Sequence, residues 1–478
     1  MEFTQHQPLE ASRQLTCHQS APLPSQIVVD GKAEPLIILH INESDIGGGA
    51  GRAAYRIYRC LAEHGPPMGL YSKLRTISQT SDDPTVIGGT PSGEGPFRRR
   101  LRPRLNHHGR RGFTTENTTI HSIAWPATGL AAELRKCPSA DAPDLIHLHW
   151  LGESTLSIEE VGQLRQPLVW TLHDQWAFCG AEHYTNPPGL GETCSTDERF
   201  TLGYTPASRP THETGPDLNR RTWLRKQRAW RRPIQIVCPS NWMADCARRS
   251  SLMGSWPITV IPHPINLKTW APVDQHQARA LLVLPLEAPL VLFGAIGGTA
   301  DHRKGADLLL AALQRLRIEL ADTPMADLQL VVFGQSRPER PPDLGFPIHY
   351  AGRLQDDLSL RLHYAAADVM VVPSRQEAFG QTASEAHACG TPVVAYRTGG
   401  LPDIVDDRVT GALADPFDPA SLAAAIRWVL EDPLRCSQLA EAARARAERL
   451  WNPARIAGLY AEVYRQALHS PSSPRNSY

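Results

Sequence analysis

Short runs of apolar residues alternate with stretches of helical periodicity along most of this 478-residue chain. Residues 369–372 show the first pattern, because Pro373 and Ser374 stop a run of four apolar residues, as expected of a strand buried on both faces. Residues 52–63 show the second, with apolar residues at helical spacing and Gly65 at the end. We therefore predict an α/β fold of parallel strands and intervening helices. Further strands are predicted at 35–41, 144–149, 168–172, 234–238, 290–296 and 328–333.

The segment from Asp368 to Tyr396 combines two carboxylates with a predicted helix start. Its pattern predicts strand, loop, helix and strand, with Thr382 as the N-cap. Glu377 lies in the loop, and Glu385 lies eight positions later, in the first turns of the helix. Unpaired N–H groups at a helix N-terminus favour an anion, and carboxylates accept hydrogen bonds from sugar hydroxyls. The segment suits a sugar nucleotide, although an ordinary surface unit is the alternative. The N–H groups between the two acids belong to Ala378, Phe379, Gly380 and Gln381.

The spacing Glu-x7-Glu within PSRQEAFGQTASEAHACGTPVVA resembles the donor-site signature of the retaining glycosyltransferases of family 4, which have the GT-B fold. The match is long and has no gaps. This resemblance implies two facing Rossmann-like domains, a C-terminal helix that crosses back to the first domain, and a donor held mainly by the second. It also implies that Glu377 holds the sugar, that Glu385 holds the ribose, and that the residues from Ala378 to Thr382 bind the donor.

Two adjacent cations, Arg303 and Lys304, lie in the loop between a predicted strand and an apolar helix at 306–316. Fixed cations in such a loop could stabilise the negative charge of a departing diphosphate. The family resemblance implies the same role, whereas a solvated basic turn is the alternative. In the family, two further loops of this half border the base and the ribose. The corresponding residues here are Gly334, Arg353 and Leu354.

A glycine-rich stretch, residues 42–51, follows the first predicted strand. A dinucleotide site is disfavoured, because Arg52 occupies the third glycine position and the acid expected about twenty residues later is missing. The stretch resembles the first loop of GT-B N-terminal domains, which implies that Gly48 and Gly49 face the donor phosphates. A flexible turn is the alternative.

His173 follows a strand directly, at the end where open α/β sheets place their ligands. The segment around it resembles a family 4 subgroup that makes bacterial exopolysaccharides, and in the wider family a histidine here contacts the donor sugar. A histidine that merely caps the strand is the alternative. Cys179 and Cys194 give a weak hint of a metal or a disulfide. His147 and His149 share one face of a strand, and packing is favoured there over a metal pair.

Equal numbers of basic and acidic residues, 49 of each, argue against a general nucleic-acid partner. We predict no membrane span, no export signal and reduced cysteines, which together indicate the cytoplasm. Two basic stretches, 98–104 in a predicted loop and 219–232 in a predicted helix, leave open a peripheral contact with the inner face of a membrane. In the second stretch, Trp223 and Trp230 lie seven positions apart, so packing by the two tryptophans is the favoured alternative.

We predict a polar N-terminal extension, an acceptor domain, a hinge, a donor domain, a crossover helix and a tail. Their ranges are 1–34, 35–265, 266–286, 287–450, 451–468 and 469–478.

The resemblance implies a retaining transfer of a sugar from a GDP- or UDP-sugar to a hydroxyl of a glycan or lipid-linked acceptor, in polysaccharide biosynthesis. We expect Glu377, Lys304, Arg303 and His173 to act at the reacting groups. The chain has no Asp-x-Asp motif, so no metal and no cofactor are expected. A sugar-nucleotide epimerase of the same fold and a non-catalytic sugar-nucleotide binding protein are the alternatives.

Overall fold

Two parallel β-sheets, of seven and six strands, organise the computed structural model of the chain. The structure describes residues 35–91, 94–138, 142–152, 155–185, 199–294 and 301–469. The predicted extension 1–34, Cys194, residues 295–300 before Arg303 and the predicted tail from 470 lie outside these ranges.

The first sheet has the order β3-β2-β1-β4-β5-β6-β7, and the second has the order β10-β9-β8-β11-β12-β13. Every pairing in both sheets is parallel, which confirms the predicted α/β class. The strands of the first sheet are β1 Leu36–Ser44, β2 Leu70–Ser78, β3 Val86–Ile87, β4 Leu145–Leu148, β5 Leu168–Thr171, β6 Gln235–Cys238 and β7 Ile258–Val260. Those of the second are β8 Leu290–Gly294, β9 Gln329–Phe333, β10 Ile348–Gly352, β11 Val369–Val372, β12 Val393–Tyr396 and β13 Gly411–Ala414.

Helices connect the strands and cover both sheets, as parallel pairing requires. In the first half they are α1 Gly48–His64, α2 Pro96–Gly109, α3 Leu130–Lys136, α4 Ile158–Gln163, α5 Arg199–Leu202, α6 Leu218–Ala229 and α7 Asn241–Arg249. In the second half they are α8 Gln275–Leu281, α9 Ala306–Leu320, α10 Asp357–Ala366, α11 Gln381–Ala388, α12 Leu401–Ile404, α13 Pro419–Leu430, α14 Pro433–Leu450 and α15 Pro453–His469. No helix in the described part of the chain combines the length and the apolar character needed to cross a bilayer.

The last helix, α15, returns to the first half, as predicted. Ile456 and Tyr460 are fully buried and share a core cluster with Ile38 of β1 and Ile57 of α1. Burial of a side chain such as Ile456 contributes roughly 1.5–3 kcal/mol. The C-terminal segment therefore ties the two halves together through the core of the first half. Along the chain, helix α8 lies between the last strand of the first sheet and the first strand of the second, within the range predicted as a hinge. It packs on α10 of the second half.

Three elements differ from the predicted pattern. Helix α1 begins at Gly48, four residues earlier than expected, so Gly48 and Gly49 form its first turn. The basic run 98–104 was predicted as loop and lies in α2, which begins at Pro96 after Gly95. A proline in the first turn is a signal for the start of a helix, and the prediction overlooked it because it relied on the run of arginines.

Thr382 is not an N-cap, because Gly380 caps α11 in a left-handed conformation with φ of 101°. Such a conformation is costly for other residues, so the glycine fixes where the helix begins.

Candidate functional site

A cleft of about 720 Å³ lies between the two halves, at the carboxyl ends of the central strands. Cavities of similar volume occur elsewhere, so size alone does not identify a site. The predicted residues distinguish this cleft from the other cavities, because most of them converge on it. Its lining includes Gly48, Gly49, His173, Arg303, Lys304, Glu377, Ala378, Phe379, Gly380, Gln381 and Thr382.

Lys304 and Glu377 form the charged centre of the cleft. The Lys304 ammonium donates to the Glu377 carboxylate, which also accepts from the Ser374 hydroxyl at 3.0 Å. Burial alone would raise the pKa of the Glu377 carboxyl, but the charges of Lys304 and Arg303 lower it below its ordinary value. Burial likewise lowers the pKa of Lys304, and the charge of Glu377 opposes that effect. The carboxylate is therefore ionised and can accept hydrogen bonds from hydroxyls.

Arg303 spans the cleft towards the first half. Its guanidinium donates to the Asp301 carboxylate at 3.0 Å and to the Gln376 carbonyl oxygen at 3.1 Å. It also lies 4.7 Å from the ring centroid of Tyr184, a residue of the first half. Burial opposes the charged form, but Tyr184 and Glu377 favour it, and the net effect raises the pKa of Arg303. The guanidinium is thus a fixed positive charge beside Lys304.

The turn that presents these two cations depends on Gly305. A short 3₁₀ turn at His302–Lys304 ends at this glycine, whose φ is 68°. A Cβ atom there would come within 1.9 Å of the Pro373 carbonyl oxygen, at the end of β11. Only glycine allows this approach, which places Lys304 against the loop that carries Glu377.

The loop before α11 offers N–H groups, as the sequence predicted. Among the described residues, none accepts a hydrogen bond from the N–H groups of Ala378, Phe379 or Gly380. The Ala378 carbonyl oxygen instead accepts from the Ser240 hydroxyl at 2.6 Å, which fixes the loop against the first half. These N–H groups can therefore bind an anion next to Lys304.

Four predicted donor residues lie outside the cleft lining, and Glu385 is the most informative. Its carboxylate accepts from Arg56 of α1 at 2.6 Å and from the Tyr364 hydroxyl at 2.8 Å. Glu385 is only 4% exposed, because it lies one turn after Gln381 and points at α1 instead of the cleft. Its role as a ribose ligand stays a prediction.

The other three residues lie towards the edge of the second sheet. Strand β10 is the edge strand of the second sheet, and β9 separates it from β8. The residues that follow β10 therefore lie away from the cleft. Arg353 is exposed, Leu354 packs against the core of the second half, and the Gly334 N–H donates to the Gly352 carbonyl oxygen at 2.8 Å.

Several residues of the first half line the cleft although no site role was predicted for them. Trp150 is the second residue after β4, so the strand-end rule could have found it. Its indole N–H donates to the Asp174 carboxylate at 2.8 Å, and that carboxylate also pairs with His183 at 2.6 Å. His183 contacts the Ser122 hydroxyl at 2.8 Å with its other nitrogen. Asp174 and His183 are therefore engaged with each other and with neighbouring side chains.

The two tryptophans of the basic stretch 219–232 are buried. Trp223 and Trp230 are 5% and 4% exposed, and Trp230 donates to the Ile158 carbonyl oxygen. Lys226 is also buried, and its ammonium is held by the carbonyl oxygens of Cys179 and Gly180 at 3.0 and 2.7 Å. This geometry agrees with packing by the tryptophans.

Three buried histidines, His40, His147 and His149, have ring nitrogens within 4.8 Å of one another. His147 hydrogen-bonds to the hydroxyls of Tyr464 and Thr171, at 2.8 Å each. His149 bonds to His40 and to His173. Every nitrogen of the three rings except His40 Nε2 already has a partner, so the cluster is arranged as a hydrogen-bonded array. This agrees with the packing interpretation of His147 and His149.

Comparison with known proteins supports a single family. A family model described as Glycosyltransferase Family 4 matches residues 47–269, and one described as Glycosyl transferases group 1 matches residues 290–432. A D-inositol 3-phosphate glycosyltransferase of Xylanimonas cellulosilytica is 38% identical over 227 residues, which are 44% of this chain and 51% of that protein. One from Thermobispora bispora is 36% identical over 224 residues, with the same shares. The chain thus spans about half the length of these curated relatives.

Solved structures share the fold. A sucrose-phosphate synthase from Thermosynechococcus elongatus has a TM-score of 0.61 at 22% identity and covers 90% of this chain and 98% of its own. Anabaena Alr3699/HepE, in complex with UDP-glucose, has a TM-score of 0.58 at 18% identity and covers 90% and 99%. Because the two family models together match about three quarters of the sequence, the chain belongs to the family 4 glycosyltransferases, with the GT-B arrangement of two facing sheets.

Proposed function

We propose that this protein is a retaining glycosyltransferase. It moves a hexose from a UDP- or GDP-sugar to a hydroxyl of a glycan or lipid-linked acceptor, in polysaccharide biosynthesis. The observation that carries this proposal is the cluster of Lys304, Glu377 and Arg303 beside three N–H groups of the loop at 378–380.

Each member of the cluster has a role that follows from its charge. The diphosphate gains negative charge as the bond to the sugar breaks, and Arg303, Lys304 and the loop N–H groups stabilise that charge. Glu377 is ionised and accepts hydrogen bonds from sugar hydroxyls. Lys304 then contacts both Glu377 and the diphosphate, which places the sugar and its leaving group in one fixed geometry.

The aspartate–histidine pair of the cleft does not provide a separate general base. Asp174 and His183 lie there, but they are bonded to each other. The leaving diphosphate itself can accept the proton of the attacking hydroxyl, and attack on the face it leaves retains the anomeric configuration. We propose that neither a metal nor another cofactor takes part.

We also propose that the protein can contact a membrane surface peripherally. Trp223 of α6 and Trp230, which follows that helix, are buried and cannot insert into a bilayer, so any peripheral contact would depend on basic side chains.

The test is release of UDP or GDP from a panel of UDP- and GDP-sugars, followed by determination of the product anomer. UDP-glucose is the first donor to test, because HepE was crystallised with it. Lys304→Ala should lower kcat by roughly 100-fold, since one fixed charge at a leaving group contributes about 3 kcal/mol. Lys73→Ala is the matched control, because Lys73 is an exposed lysine of β2.

Three outcomes would refute the proposal. An inverted product would exclude the retaining mechanism, and donor binding without diphosphate release under any acceptor would favour a binding protein. Equal rates in Lys304→Ala and Lys73→Ala would contradict the site.

A further inference from the structure

A file of histidine side chains leads from the interior of the first sheet to the cleft. His40 lies within β1, His149 follows β4, and His173 follows β5, so three adjacent strands each contribute one imidazole. His40 Nδ1 lies 3.0 Å from His149 Nε2, and His149 Nδ1 lies 3.1 Å from His173 Nε2. Both distances are those of hydrogen bonds.

The two ends of the file differ in their surroundings. The His40 ring is fully buried, and its Nε2 atom has no partner among the described residues. The His173 ring lines the cleft, and its Nδ1 atom is the nitrogen that no described residue occupies. A ligand in the cleft can therefore reach His173 only through Nδ1.

All three rings are neutral near pH 7. Burial lowers the pKa of His40 to about 3 and that of His173 to about 4, and it lowers the pKa of His149 well below the ordinary value. A neutral imidazole carries one N–H and one lone pair. Each ring must therefore donate on one side and accept on the other, so both hydrogen bonds point in the same direction along the file.

The buried end favours one of the two directions. If the hydrogen bonds pointed from His173 to His40, His40 would carry an N–H at Nε2 with no acceptor. If they point from His40 to His173, only a lone pair is left there. Among buried backbone groups, an N–H without an acceptor is rarer than an unsatisfied acceptor, and the same preference applied to His40 favours the direction that leaves only a lone pair at Nε2.

We propose that the file points from His40 to His173, and that His149 is a positioning residue that holds His173 with an N–H at Nδ1 directed into the cleft. His173 then acts as a neutral hydrogen-bond donor. It contacts an oxygen of the bound substrate and cannot accept a proton from the acceptor hydroxyl at Nδ1. The identity of that substrate as a nucleoside diphosphate sugar rests on the proposed function.

The direct test is nuclear magnetic resonance of the full chain labelled with ¹⁵N-histidine. The two ring nitrogens of a neutral histidine report which of them is protonated, and the His173 signals are assigned by their loss in His173→Gln. We expect the proton on Nδ1. A proton on Nε2 of His173 in the wild-type protein would overturn the proposal without any need for a substrate.

Variants of His149 test positioning separately from packing. In His149→Leu, His173 Nε2 loses its donor, so we expect a second tautomer of His173 to appear. With the donor that proves active, kcat should fall roughly tenfold, the equivalent of one hydrogen bond of about 1.4 kcal/mol. In His149→Asn, the amide N–H can replace Nδ1–H, and both the tautomer signal and kcat should return to within about threefold of wild type. His363→Leu, which changes a histidine of α10 in the other half, is the control.

If His149→Leu retained the wild-type tautomer signal and the wild-type kcat, His149 would not position His173. A His149→Asn variant as impaired as His149→Leu would point to packing alone. Failure of the proposed function has a different signature, namely no diphosphate release by the wild-type protein from any nucleotide sugar, with the His173 tautomer still as predicted.

Discussion

Acidification should destabilise this fold well before its carboxylates titrate. His40, His147, His149 and His263 are at most 3% exposed, and burial lowers the pKa of each of them far below 6.5. In the unfolded chain these side chains regain a pKa near 6.5. The unfolded state therefore binds more protons below pH 6.5, so stability is complete above that pH and is lost as the pH falls.

The magnitude follows from linkage. Between pH 7.5 and pH 5.5, one histidine that stays neutral in the folded state costs about 1.4 kcal/mol of stability. Four of them cost about 5 kcal/mol, which is a large part of the 5–15 kcal/mol typical of folded proteins. His173 is left out because its ring is partly exposed in the cleft. Aspartates and glutamates remain ionised in this pH window, so they do not contribute.

Urea unfolding at the two pH values, followed by tryptophan fluorescence, measures this loss. His40→Leu removes one titrating group and should reduce the difference between the two pH values by about 1.4 kcal/mol. His276→Leu, which replaces a histidine that is 62% exposed, should leave the difference unchanged. If wild-type stability differed by less than about 1 kcal/mol between the two pH values, the buried histidines would be able to take up protons in the folded state, and the reasoning would fail.

Three other substitutions have defined outcomes. Gly305→Ala forces a Cβ against the Pro373 carbonyl oxygen, so diphosphate release should fall at least roughly tenfold, with a loss of more than about 1 kcal/mol in urea unfolding. Lys226→Met leaves buried carbonyl oxygens without their donor and should cost about 3 kcal/mol in the same assay; a loss below about 1 kcal/mol would contradict this. Arg56→Ala leaves the Glu385 carboxylate buried without its cation and should cost about 3–5 kcal/mol by calorimetry. Adding Glu385→Gln should recover part of that loss, and no recovery would mean that the pair is not the cause.

The wall of the cleft that the second half forms could be predicted because its signals are local. Glu377 and the loop N–H groups lie within one strand-loop-helix unit. Nearby proline and glycine residues determine where the strand of that unit ends and where its helix begins. Lys304 was predictable for the same reason, since it lies between a strand and a helix. The prediction of the start of α11 was wrong, because the left-handed conformation of Gly380 overrode the capping preference of Thr382.

The histidine file and the Arg56–Glu385 pair could not be predicted from sequence. His40 and His149 are 109 positions apart, and Arg56 and Glu385 are 329 apart. Their contacts depend on the order of β1, β4 and β5 in one case, and on how the two halves approach each other in the other. Neither feature leaves a local pattern in the chain.

The two acids of the Glu-x7-Glu signature are neutralised in different ways, and this difference bears on how a donor would enter. Glu377 is paired with Lys304 of its own half, so a sugar can approach it without moving the two halves apart. Glu385 is paired with Arg56 of the opposite half, and Gln381 donates to the Gly49 carbonyl oxygen across the same gap at 2.6 Å. A ribose that takes Glu385 as its partner must therefore displace Arg56. Donor binding at the second acid and contact between the halves would then compete for one carboxylate, whereas binding at the first acid would not.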